Sequence, residues 1–146
     1  MRRTIIILGL ALSLSVADPD IIKKEIPLKT EWDFLIEALI QIESEGNPFA
    51  VGRSNDVGVL QITPIYVREV NRIMKEDIYS LDQRTDIEKS IEMFDIYQGY
   101  HNPEKDILRA IHLHNPGAGS WYRNKVTTEM EKIKAESLTK QFVTFM

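Results

Sequence analysis

The segment Trp32-Asp33-Phe34-Leu35-Ile36-Glu37-Ala38-Leu39-Ile40-Gln41-Ile42-Glu43-Ser44 repeats its apolar residues at helical spacing, and that period constrains the fold more than any other feature. At roughly 100° per residue, with Trp32 at zero, Leu35, Ile36 and Leu39 fall within about 60° of it. Asp33, Glu37, Gln41 and Glu45 project to the other side. Glu43 breaks the partition, landing about 20° from Trp32, in the middle of the oily stripe. A carboxyl held against apolar surface loses hydration, and its charged form is disfavoured. It then keeps its proton near neutral pH, as a general acid must. The competing reading is a carboxylate at a fraying helix end that reaches water or a salt bridge.

A chain of 146 residues is long enough for one core without covalent staples. Residues 1–17 read as a signal peptide: Arg2 and Arg3 are a basic start, Thr4 to Val16 an uncharged run, and Ser15-Val16-Ala17 a small-residue cleavage site. The apolar run is short for a bilayer span, so export with a mature start near Asp18 is expected, rather than a retained anchor. Localisation is then periplasmic or extracellular. Residues 18–30 form a polar lead-in and residues 31–146 the domain. There is no cysteine. Disulfides, thiolate metal sites, a cysteine nucleophile and a cysteine-linked lipid anchor are therefore not expected.

Taking Arg2 and Arg3 from 18 basic side chains leaves 16 against 22 acidic ones, a formal charge of −6. That balance speaks against nucleic acid and against capture by an anionic surface. A bound polymer would be gripped by hydrogen bonds and stacking.

The rest of the chain reads as helices around one irregular excursion. Glu45 to Thr63, rich in Gly, Asn, Pro and Ser, is a loop with room for a small hairpin. Thr63-Pro64 opens a helix to about Lys75. Asp82, or the box Thr85-x-x-Glu88, opens the next, and Asn102-Pro103 opens one that runs to about His114. Pro116-Gly117-Ala118-Gly119 stops it. A last, weakly patterned helix begins near Thr128. The fold class expected is mainly α.

Two separated motifs carry the chemistry. The first is Glu43-Ser44-x-Gly46-Asn47-Pro48-x-Ala50, continued by Ser54-x-x-x-Gly58-Val59-Leu60-Gln61-Ile62-x-Pro64; the second is His114-Asn115-Pro116-Gly117-Ala118-Gly119. Together, in this order, they resemble the lytic transglycosylases with a soluble-transglycosylase (SLT) type catalytic domain, over about Trp32 to Trp121. The resemblance implies a lysozyme-like helical domain with a groove between two lobes, acting on a peptidoglycan glycan strand. It implies that Glu43 is the sole catalytic acid/base and that Gln61 and Ser54 line the cleft. Gly58 would give backbone room beside the sugar, and Asn115, Gly117 and Gly119 match the second motif. His114 stands where the family has tyrosine, and Pro116 where it has a small residue.

Glycoside hydrolases ordinarily need two carboxyl groups. Asp56 is the nearby candidate, and its ordinary reading is a turn aspartate. One carboxyl suffices if the sugar's own C6 hydroxyl attacks, giving a 1,6-anhydro product. A hydrolytic muramidase and a non-catalytic glycan-binding factor are the alternatives. No cofactor or metal is expected: His112 and His114 lie on different helix sides, and no H-E-x-x-H, G-x-S-x-G or P-loop occurs. Trp121 and Tyr122 are candidates for stacking on sugar, and Tyr97 or Tyr100 for a hydroxyl that steadies Glu43. Biological role, a partner in cell-envelope machinery, exo or endo action and oligomeric state are not legible.

Overall fold

The computed structural model describes residues 28–144; the expected leader and most of the polar lead-in lie outside them. Five α-helices follow in order: α1 Glu31–Ser44, α2 Pro64–Met74, α3 Ile87–His101, α4 Ile107–His114 and α5 Gly119–Thr144. A 3-10 turn, Leu81–Thr85, precedes α3. The mainly α class expected from the periodicity holds.

Helix α1 starts where its chemistry says it should. Thr30 accepts from the Asp33 amide while Asp33 takes the Thr30 amide, a closed capping box. It ends at Glu45, which turns left-handed at φ 53°. Helix α5 lies along α1, and α4 packs on both. Trp32, Phe34, Leu35, Ile36, Ala38 and Leu39 are all buried. The buried surface of α1 is thus wider than its sequence stripe, because helices cover it on more than one side.

Three helix starts differ from expectation, each for a local reason. Asp86, rather than Asp82 or Thr85, caps α3, its side chain accepting from Lys89 N at 3.0 Å. The preceding residues are used up in the 3-10 turn. Asn102 ends α3 instead of opening α4. Its buried side chain donates to the Asp106 carbonyl at 2.8 Å and accepts from the Asp106 amide at 3.2 Å. That closes a turn, and Asp106 then caps α4 through Arg109 N. Helix α5 begins at Gly119, with φ +65°, nine residues ahead of Thr128. Tyr122, Val126 and Met130 from this earlier part are buried in the core.

The excursion after α1 has no named strand, only isolated antiparallel bridges pairing Val57 with Val51 and with Ile62. Its shape is imposed from outside. Arg84, 6 % exposed, donates to the carbonyls of Leu81, Asn55 and Ile62. Ser44 sets its hydroxyl 3.0 Å from the Val59 carbonyl, tying the loop to the last turn of α1. Gly58 sits at φ +85°, and a Cβ there would meet the Arg84 carbonyl oxygen at 1.8 Å. Gly58→Ala is therefore expected to cost about 2–3 kcal/mol, the sum of left-handed backbone strain and overpacking against main chain. A chemical denaturation midpoint indistinguishable from the parent would contradict this.

Candidate active site

An open cleft of about 560 Å³ runs past the end of α1. The helix end contributes Glu43, the loop Ser54, Asp56 and Gln61, α2 Ile65 and Glu69, and the end of α4 His114 and Asn115. The expected residues Glu43, Ser54, Gln61, His114 and Asn115 are thus brought together, although they are up to 72 positions apart in the chain. Gly58, Gly117 and Trp121 do not line this cleft. The space beside Gly58 is filled by the Arg84 carbonyl and is not left for a sugar. Gly117 lies in the turn between α4 and α5. Trp121 is 69 % exposed, with the Lys125 ammonium 5.6 Å from its ring centre.

Glu43 occupies the place its helical phase requires, with its side chain 17 % exposed. Burial pushes its carboxyl above the ordinary 4.5. Asp56 adds to the rise, while the hydrogen bond from Tyr122 and the charge of Lys125 draw it back. The Tyr122 hydroxyl donates to Oε1 of Glu43. Burial, and then the neighbouring carboxyl, holds this phenol far above its usual range, so it remains a donor. Sequence reading assigned the steadying hydroxyl to Tyr97 or Tyr100. Tyr97 instead stacks on Tyr66 at 4.3 Å and Tyr100 is exposed. The signal for Tyr122 was its place in the Tyr122, Val126, Met130 stripe, which required α5 to start early.

Two further carboxyl groups line the cleft, and they differ from Glu43. Glu69 is bonded by Arg72 at 2.7 Å and by Nε2 of His101 at 2.9 Å. Arg72 foremost, then His101, hold its carboxyl down at about 2, so it is an anion throughout the working range. Sequence reading missed it. Asp56 accepts from the Ser54 amide at 2.8 Å, as a turn aspartate does.

Gln61 lies on the cleft wall, but both of its amide-donor contacts are internal, to Ala50 O at 3.1 Å and Gly58 O at 2.9 Å. Its side-chain carbonyl is the part left for a ligand. His114 comes close to Glu43, with Nε2 3.7 Å from Oε1. Burial lowers this imidazole to about 4, so it is neutral above that pH and the contact is not an ion pair.

This mainly helical domain sets a shielded carboxyl, Glu43, at the wall of an open cleft. The family model of the transglycosylase SLT domain matches residues 20–136, and the chain belongs to that family. Its fold is the lysozyme-like helical domain of that family, and its function is of the transglycosylase type, directed at peptidoglycan in the cell envelope. No curated protein gives a significant match. Among the described residues no helix is long and apolar enough to cross a membrane.

Proposed function

We propose that the protein is a peptidoglycan lytic transglycosylase in which Glu43 alone acts as acid and then as base. The observation that carries this reading is the state of Glu43, a desolvated carboxyl held by one phenol beside an open cleft. Protonated Glu43 donates to the oxygen joining N-acetylmuramic acid to N-acetylglucosamine. The 2-acetamido group of the muramic residue stabilises the cationic anomeric carbon as that bond breaks. The carboxylate then takes the proton of the muramic C6 hydroxyl as its oxygen bonds to the anomeric carbon. The product carries a 1,6-anhydro ring and no water is consumed. Glu69, an arginine-paired anion, is a poor proton donor, which leaves the acid's role to Glu43.

A hydrolytic muramidase is the second reading, favoured by one observation: Asp56 lines the same cleft and raises Glu43. Mass spectrometry of digested peptidoglycan separates the two. Anhydro-muropeptides are expected; reducing muramic ends in their place would overturn the transglycosylase and leave the muramidase. The leader at residues 1–17 supports export to the periplasm or beyond, and an exported chain whose first residue lies near Asp18 is the expected result of N-terminal sequencing.

A further inference from the structure

The two carboxyl oxygens of Glu43 have unequal surroundings. Oε1 takes the Tyr122 hydroxyl and has Nε2 of His114 3.7 Å away. Oε2 has no hydrogen-bond partner among the described residues. The His114 side chain is 5 % exposed, and its ring meets the Phe94 ring edge-on with centres 5.7 Å apart. Its Nδ1 is buried without a hydrogen-bond partner among the described residues.

A neutral imidazole carries one N–H, and the two tautomers are not equivalent here. A proton on Nδ1 would be a buried donor facing nothing, while the lone pair of Nε2 would face a carboxyl oxygen. A proton on Nε2 leaves only an unused acceptor in the interior and directs an N–H toward Oε1. Orphaned buried donors are rarer than under-used acceptors, and a donor facing a carboxylate is favoured by its charge.

We propose that His114 is a positioning residue: as its Nε2–H tautomer it closes on Oε1 when Glu43 ionises, so that Oε1 is the anchored oxygen and Oε2 carries the reacting proton. This rests on the acid/base reading of Glu43. In the first step the Oε2 proton passes to the glycosidic oxygen as its bond to the anomeric carbon breaks, and the new negative charge is drawn to Oε1 by two donors. In the second step the C6 oxygen bonds to the anomeric carbon and its proton returns to Oε2. A sub-ångström approach of the imidazole converts the 3.7 Å contact into a hydrogen bond. The titratable groups acting on Glu43 are Tyr122 and Lys125 from α5, His114 from α4 and Asp56 from the loop. Of these, His114 stays uncharged down to about pH 4, so one tautomer question describes it over the working range.

Nitrogen-15 spectra of the labelled full chain at pH 7, with His114 assigned by its loss in His114→Gln, are expected to show a protonated Nε2 and a bare Nδ1. The opposite tautomer overturns the proposal. The amide nitrogen of His114→Gln reaches about where Nε2 sits, and kcat should stay within roughly threefold of the parent. His114→Leu removes the donor and should lower kcat roughly tenfold with little change in KM, while moving the carbon-13 titration of Glu43 upward. Equal kcat and equal Glu43 titration in the leucine and glutamine variants would also overturn it. Should the leucine variant fail to fold, the tautomer in the unaltered chain decides. Neither spectrum depends on turnover, so absent anhydro products would count against the transglycosylase reading alone.

Discussion

Glu43→Gln is expected to abolish release of muropeptides, lowering the rate by at least about 10³-fold, because in the proposed mechanism the same group serves as acid and as base. The amide keeps the shape of the carboxyl and still accepts from the Tyr122 hydroxyl, so the loss reports the proton and not the packing. Residual lysis equal to the parent would remove both enzymatic readings and leave a glycan-binding factor. The substitution has a second, opposite consequence for stability. A carboxyl raised above 4.5 in the folded state binds its proton more tightly there than in the unfolded chain. Unfolding stability therefore falls as pH rises from about the ordinary value through the raised one. At pH 7 the glutamine variant should melt higher than the parent, and the gap should close as pH is lowered below 4.5. Parallel melting curves at every pH would mean that Glu43 is not perturbed.

Tyr122→Phe is expected to lower kcat by about 10- to 100-fold, the range for losing a hydrogen bond to a charged group. The ring stays, so the core contact beside Val126 is kept. The lost bond favours the ionised form of Glu43, and without it the carboxyl titrates still higher. The acid must be protonated for the first step, so kcat/KM falls on the alkaline side as Glu43 ionises. In the phenylalanine variant this limb should move to higher pH even as the maximum rate drops. A limb that moves to lower pH, or a rate unchanged across the profile, would show that the phenol does not act on this carboxyl.

The site was legible in unequal parts. Glu43 could be placed by phase alone, because a helix fixes the angle of each residue and one acid on an oily face stands out. Thr63-Pro64 was equally plain, since cap and proline constrain the same turn. Asn102-Pro103 looked alike, yet the Asn102 side chain bonds both backbone groups of Asp106, a choice made by tertiary burial and invisible in the dipeptide. Helix α5 hid its first turns because Arg123, Asn124, Lys125 and the β-branched Thr127 and Thr128 dilute the pattern. Its apolar contacts recur every four residues, at Tyr122, Val126 and Met130, and the polar filling obscured them. With that start misplaced, Tyr122 read with Trp121 as a candidate for stacking on sugar, although it is the buried phenol on Glu43. Glu69 has a local partner in Arg72, three residues on in α2, but its place on the cleft wall and its bond to His101 come from how α2 and α3 meet.

The buried guanidinium of Arg84 makes the excursion between α1 and α2 a dependent part. Two of the three carbonyls it binds belong to that excursion, so the segment's contour is stored in a residue more than twenty positions downstream. Transplanting residues 51–62 into another scaffold would carry the cleft's Ser54, Asp56 and Gln61 but leave behind the peg that bends them into place. An engineer reshaping substrate choice here would do better to vary the tip at Arg53 and keep Asn55, left-handed at φ 58° and held by Arg84, together with the Arg84–Gly58 crossing.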